Sequence, residues 1–294
     1  MMTLQNETRV AVVTGASSGI GKAAAKELAA RGWHVIAHGR DAERTAAAEA
    51  EIRAVAAQGA RVNMVRGDLA SLRDTARMTK EIERLTDKVH ALLNNAGGVR
   101  NERIITPEGN EATFAGNHLG HFLLTHRLLP LLRAAAATAA PGTVRILSVS
   151  SSGHSGCPGL DWDDLQQTRE WVSGKSYCLA KLCNLLFTRE LAKRLAADGI
   201  VANAMHPGVV ASNFANHAVP SMKSYMATLE SFPPEVGADT LVWLATAPEA
   251  GKVTGGYFHK RAALTPSAAA LDDIAAARLW QESEALVARA GVPL

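Results

Sequence analysis

Cysteine is scarce in this 294-residue chain, and its three copies, Cys157, Cys178 and Cys183, form no C-x-x-C pair. An odd count without close spacing argues against a disulfide framework and for free thiols in a reducing compartment. Long apolar runs are missing as well. No uninterrupted stretch approaches the ~20 residues of a membrane span; the leucine-rich segment Leu123 to Leu132 is broken by His126, Arg127 and Pro130. The segment Met1 to Arg9 is too polar and acidic for a signal peptide. Runs of one charge sign are absent too. Lysines and arginines are scattered, and a net charge of +3 is too small to imply a nucleic-acid or membrane-surface role. Together these absences lead us to expect a cytoplasmic protein with no membrane anchor and no nucleic-acid partner.

What is present is an ordinary globular composition, 47% hydrophobic and 20% charged, ample for a packed core. Short apolar runs at Val10–Thr14, His34–His38, Arg61–Arg66, Ala91–Asn94, Val144–Val149 and Val201–His206 read as strands, with a last one at Gly256–His259. Helical stretches lie between them at Lys22–Arg31, Ala42–Gln58, Leu72–Asp87, Glu111–Ala136 and Ser173–Ala197. Continuous apolar strands alternating with helices predict a Rossmann-type, doubly wound parallel α/β sheet with helices on both faces, in three αβα layers. A final helix is expected within Pro266 to Ala290, near 267–290. It would bury Leu271, Ile274, Leu279 and Leu286 on one face about 140° wide, with Trp280 opposite. Nothing resembles a linker: the Ala-rich run Ala134 to Ala140 ends at Pro141-Gly142 as a helix end and turn. We expect one domain over 1–294, with substrate-loop insertions near 152–174 and 213–232.

The most informative stretch is Thr14-Gly15-Ala16-Ser17-Ser18-Gly19-Ile20-Gly21, between the first strand and an Ala-rich helix. A strand, a glycine turn and a helix start point free N–H groups and a helix dipole at a phosphate. The glycines permit the tight turn and a close approach of ligand and neighbouring strand. In a doubly wound sheet, ligands bind beyond the carboxyl ends of the strands. Asn94-Asn95-Ala96-Gly97, Ser148-Val149-Ser150-Ser151 and His206-Pro207-Gly208 close three further strands on that side.

Tyr177 and Lys181 stand four apart near the start of a long helix, so phenol and ammonium share a face. A positive charge at ~4 Å, with an effective dielectric of ~20, is worth about 4 kcal/mol and would bring a phenol from ~10 to roughly 7. A group so tuned exchanges protons with an alcohol or carbonyl oxygen near neutral pH. At the end of the second strand Gly39 stands where an NAD enzyme would place a carboxylate, and Arg40 follows, with Arg44 one turn on. A planar guanidinium suits a 2′-phosphate, which predicts NADP(H) over NAD(H). The competing reading is that Asp41 caps the next helix while Arg40 is merely solvated.

These motifs, in this order, resemble the short-chain dehydrogenase/reductase family over nearly the whole chain. The resemblance implies a nicotinamide-dependent oxidoreductase acting on a small carbonyl or alcohol substrate. It makes Tyr177 the general acid/base and Ser151, rather than Ser150 or Ser152, the hydrogen-bond donor to the substrate oxygen. Lys181 would hold the nicotinamide ribose and lower the tyrosine pKa, and Asn117 would support a water-mediated proton relay. Cofactor contacts are implied for Gly15, Ser17, Ser18, Gly19, Ile20, Gly21, Asn95, Ala96 and Gly97, and at the adenine for Asp68 and Leu69. Pro207, Gly208, Val210 and Ser212 would complete the set. The segment Asn117-His118-Leu119-Gly120-His121-Phe122-Leu123-Leu124-Thr125 and the long gap from Ser151 to Tyr177 are similar to the retinol dehydrogenase-like branch. That likeness favours a lipophilic ketone, aldehyde or alcohol. The insert His154 to Gly174, with Trp162 and Trp171, is expected to border the substrate pocket.

Other readings are weaker. His118 and His121 lie three apart on a helix but lack a third ligand, so no metal is expected. Gly153-His154-Ser155-Gly156-Cys157 misses the second glycine of a hydrolase elbow. A methyltransferase would explain the glycines but not Tyr177 with Lys181. A non-catalytic NADP(H)-binding redox sensor stays open, as does assembly into a homo-oligomer.

Overall fold

The computed structural model describes residues 8–211, 214 and 218–294. Most of the Met1–Arg9 segment, Ser212 and part of the 213–232 insertion therefore lie outside the described residues. Eight strands form one sheet in the order β3-β2-β1-β4-β5-β6-β7-β8. They are β1 Val10–Val13, β2 His34–Gly39, β3 Val62–Arg66, β4 Ala91–Asn94, β5 Arg145–Val149, β6 Val201–Met205, β7 Tyr257–His259 and β8 Ala262–Ala263. All neighbours pair in parallel except β7 with β8. The strand order reverses between β1 and β4, the switch point of a doubly wound sheet.

Alternation along the strands builds two cores. Val12, Ile36, Leu92 and Ile146 point to one face, where they meet α3 Leu72–Leu85, α5 Gly120–Ala136, α6 Ser173–Arg194 and α9 Asp273–Arg289. Val13, Ala37, Leu93 and Leu147 point to the other, under α1 Gly19–Ala30, α2 Ala42–Ala54 and α8 Pro234–Thr246. This is the expected three-layer arrangement. Both faces of the central strands are covered, which is why they read as unbroken apolar runs. A short α4, Ala112–Phe114, leads into α5 through a π turn at Ala115–Leu119. A short α7, Pro220–Ala227, precedes α8.

The last helix corrects the sequence reading. Leu271 sits before it in a 3₁₀ turn, and Ile274 is 83% exposed. The buried stripe is Ala276, Leu279, Trp280, Ser283, Leu286 and Val287. Trp280 faces the core, stacked on Phe187 with centroids 5.9 Å apart and edge-on to Phe122 at 5.0 Å. An indole brings more apolar area than any of the aliphatics counted against it, so its position sets the helix rotation.

Candidate active site

One cavity of about 890 Å³ opens beyond the carboxyl ends of β1, β2, β4, β5 and β6. Its floor is the glycine turn. Gly15 has φ +68°, and a Cβ there would lie 2.8 Å from the Ala96 Cα. The Thr14 hydroxyl oxygen accepts the N–H groups of Asn95 and Ala96, both at 2.9 Å, while the Asn95 amide donates to the Thr14 carbonyl at 2.8 Å. The β4 end thus clamps the turn. Ser17, Ser18, Gly19 and Ile20 line the cavity, and the first turn of α1 has no side-chain cap from Ser18. Its N–H groups remain available to an anion. Gly21 does not line the cavity: a Cβ there would meet the Gly15 carbonyl and Asn95 amide at 2.4 Å, so it serves close packing behind the turn.

Arg40, Arg44, Asp68 and Leu69 line one end of the cavity. Asp41 caps α2 through the Arg44 N–H at 2.9 Å, as its position suggested. Arg40 stands 3.7 Å from Asp68, both half-exposed. His38 was not singled out from the sequence. Buried at the end of β2, it faces the Gly15 N–H with Nδ1 at 3.3 Å and the Gly67 carbonyl with Nε2 at 2.9 Å. A carbonyl cannot donate, so Nε2 carries the proton and Nδ1 accepts. The ring pins three strand ends around this end of the cavity.

At the other end the structure brings together Ser151, Tyr177, Lys181 and Asn117, with Asn95, Ala96, Gly97, Pro207, Gly208 and Val210 on the intervening wall. Ser212 lies outside the described residues. Tyr177 and Lys181 sit one turn apart on α6. The Ser151 hydroxyl faces the phenol and lowers its pKa, while its oxygen accepts the Gly153 N–H at 3.0 Å. Ser150 turns away and donates to the Lys181 carbonyl at 2.8 Å. Lys181, buried, donates to the Val149 carbonyl at 3.0 Å, its ammonium 5.5 Å from the centre of the phenol ring.

The expectation that Lys181 brings the phenol to neutral pH is not met. Burial pushes Tyr177 up to about 12, opposed only in part by the Ser151 hydrogen bond. Burial likewise holds Lys181 down to about 8. Desolvation disfavours both charged forms, and the lysine is anchored on Val149 rather than on the phenol oxygen.

Asn117 sits in the π turn, where its side chain braces the loop after β4. Its Oδ1 accepts the Gly98 N–H at 3.1 Å, and its amide donates to the Gly98 and Thr113 carbonyls at 2.9 and 2.8 Å. A Cβ on Gly97 would lie 2.5 Å from that Oδ1 and 3.2 Å from the Lys181 ammonium, so only glycine fits there. The two histidines of this helix part ways. His118 meets Ser283 at 3.0 Å. His121 contacts the Asn117 carbonyl through Nδ1 at 3.1 Å and the Thr14 hydroxyl through Nε2 at 2.9 Å. The carbonyl fixes the proton on Nδ1, so Thr14 donates to Nε2.

The remaining wall carries the apolar residues Val99, Val172, Val209, Phe214, Met226 and Leu229 beside the polar Arg100, Ser152, Lys175 and His206. Phe214 lies edge-on to Tyr177 at 5.0 Å. The insert borders the cavity, as expected, through Gly156, Val172 and Gly174, whereas its tryptophans do not line it; Trp162 lies under the Arg278 guanidinium at 4.3 Å. Among the described residues, no helix is long and apolar enough to cross a membrane.

A nucleotide turn, a Ser–Tyr–Lys cluster and a shared cavity on a doubly wound sheet define a dinucleotide-dependent oxidoreductase class. Residues 9–160 match the family model for short chain dehydrogenase. The chain is 38% identical to Homo sapiens retinol dehydrogenase 13 over 287 residues, spanning 95% of this chain and 84% of that one. Among solved structures, an uncharacterised protein from Mycobacterium paratuberculosis superposes with a TM-score of 0.74 at 31% identity, covering 97% of this chain and 95% of that one. The Pseudomonas aeruginosa RhlG/NADP active-site complex superposes with a TM-score of 0.67 at 26% identity, covering 85% and 93%. This protein belongs to the short-chain dehydrogenase family of oxidoreductases.

Proposed function

We propose that this protein transfers hydride between NADP(H) and a lipophilic ketone or aldehyde, or the corresponding alcohol. The observation that carries this reading is the Ser151–Tyr177–Lys181 cluster on the wall of the cavity that begins at the glycine turn. The residues present fit a dinucleotide: an uncapped helix start over the phosphates, glycines where a Cβ would intrude, and Arg40 with Arg44 at the far end. When bound, the nicotinamide supplies or accepts the hydride. Arg40 and Arg44 bind the 2′-phosphate, a reading supported by their two guanidinium groups lining that end of the cavity. Lys181 holds the nicotinamide ribose.

In carbonyl reduction, Ser151 donates a hydrogen bond to the substrate oxygen and Tyr177 gives up its O–H proton to it. In alcohol oxidation the phenolate takes that proton back. Pushed up to about 12, Tyr177 carries its proton at neutral pH and enters carbonyl reduction as the acid. Asn117 holds Gly97 and Gly98 beside Lys181, on the side from which the phenol is reprotonated. The apolar part of the wall, Val172, Phe214, Met226 and Leu229, suits a substrate of low polarity, in keeping with relatives named for retinol.

The test is NADPH oxidation against a panel of apolar ketones and aldehydes, with Tyr177→Phe as the control. Turnover abolished in that variant with cofactor binding retained supports the reading. Binding of NADPH without turnover of any substrate would instead favour a redox sensor.

A further inference from the structure

Glu111 is fully buried, 0% exposed, immediately before α4. Three donors converge on its carboxylate from three parts of the chain. Oε2 accepts the Phe114 N–H at 2.8 Å and the Ser176 hydroxyl at 3.3 Å, and Oε1 accepts the Trp171 indole N–H at 3.1 Å. The Glu111 N–H in turn donates to Gln166 Oε1 at 2.7 Å. A buried carboxylate is costly unless its oxygens are satisfied; here every partner is a donor and the group accepts from all of them.

What these partners carry gives the arrangement its meaning. Phe114 leads into the π turn that holds Asn117. Ser176 is the residue before Tyr177 on α6, and Trp171 stands near the end of the insert, where its neighbour Val172 lines the cavity. Glu111 itself does not line the cavity. We infer that Glu111 is a positioning residue, fixing Tyr177 and the insert against the Asn117 turn from behind the cavity wall. This rests on the proposed hydride transfer, since the quantity it sets is the placement of the Tyr177 hydroxyl at the substrate oxygen. It also gives Trp171 a role: its indole is a strut of the wall rather than a substrate contact.

Glu111→Gln tests this with little change of shape. The glutamine amide has one accepting oxygen, so its NH₂ must face either the Trp171 N–H or the Phe114 N–H; the Ser176 hydroxyl can rotate to accept. One buried donor is left unpaired and the helix start shifts. A displacement of this kind predicts a loss of about tenfold in kcat with carbonyl substrate, and an NADPH dissociation constant within about twofold of the parent. Trp171→Phe removes the competing donor. Alone it costs less than about threefold, and combined with Glu111→Gln it restores kcat to within about threefold of the parent. In the cofactor-free protein, hydrogen exchange of residues 165–178 quickens in Glu111→Gln and slows again in the double variant. Unchanged kcat in Glu111→Gln, or additive losses in the double variant, overturns the assignment. No turnover by the parent protein on any carbonyl overturns the hydride-transfer reading itself, and this inference with it.

Discussion

The Lys181 ammonium is bonded to the Val149 carbonyl, 3.0 Å away at the end of β5, and not to the Tyr177 hydroxyl one helical turn before it. Two residues on one helix face are therefore divided by a strand end: the lysine ties α6 to the sheet, while the phenol extends to Ser151. The pKa values of both groups follow from burial rather than from mutual attraction.

Opposite pH behaviour in the two directions follows. On the proposed mechanism, reduction needs the phenol, which persists throughout the neutral range because the Tyr177 pKa is pushed up to about 12. Oxidation needs the phenolate, whose fraction grows about tenfold per pH unit below that value. Alcohol oxidation should therefore accelerate from pH 7 upward. Carbonyl reduction should lose no acid over the same window. Steady-state rates in both directions across a pH series check this, and an oxidation rate indifferent to pH would count against it.

A second pH effect concerns stability. His118 and His121 are buried, and desolvation lowers both to about 3. The unfolded chain binds their protons below ~6.5, so stability is full above that value and is lost as pH falls toward the folded values. At pH 5 each histidine costs roughly 2 kcal/mol relative to neutral pH. Thermal melts should show Tm falling steeply below pH 6.5, and His118→Gln should flatten the fall. A parent melt unchanged between pH 7 and 5 would refute it.

On the proposed NADP(H) reading, cofactor choice turns on Arg40. Its guanidinium lies 3.7 Å from Asp68, and both side chains are half-exposed, so the ion pair competes only weakly with a phosphate. Arg40→Ala should raise the KM for NADPH by about tenfold or more, the scale of a lost charged hydrogen bond, and leave NADH nearly unchanged. Kinetics with both cofactors measure the split. Equal effects on the two would point to a general loss of the site.

Legibility in the sequence tracks how local the determining physics is. The strands β1, β4 and β5 were readable because burial on both faces makes them continuous apolar runs between polar or glycine stops. The helix of Ala42–Gln58 was drawn too long: alanine favours helix, and no breaker marks the actual end at Ala54. The α8 helix is not among the expected elements: Pro233-Pro234 marks its start, but it follows directly on the 213–232 insertion, whose sequence gives no strand or helix period to set it apart. That Tyr177, Lys181 and the glycine turn share one cavity was legible, because strand-turn-helix order and a one-turn helix spacing set their placement. Glu111 and His38 were not. The Glu111 side-chain partners Trp171 and Ser176 lie 60 and 65 residues away, and the His38 partners lie 23 and 29 residues away, so folding alone creates the roles. The Tyr177 pKa was misjudged for the same reason, since helix spacing fixes a shared face but not where a lysine head is anchored.

The rotation of α9 offers a direct check on the corrected core. Trp280 is 5% exposed, with its indole N–H donating to Glu284 at 2.7 Å and the Arg194 guanidinium 4.3 Å above the ring. Ile274, on the same helix, is 83% exposed. A leucine count alone would make Ile274 the anchor and Trp280 the surface residue; the packing inverts this. Trp280→Ala should cost about 3–5 kcal/mol through the cavity it leaves between Phe122 and Phe187. Ile274→Asp, near the helix N-terminus where negative charge is tolerated, should stay within about 0.5 kcal/mol. Urea midpoints of the two variants discriminate cleanly. A marked loss in Ile274→Asp beside a mild one in Trp280→Ala would restore the rotation expected from the aliphatics.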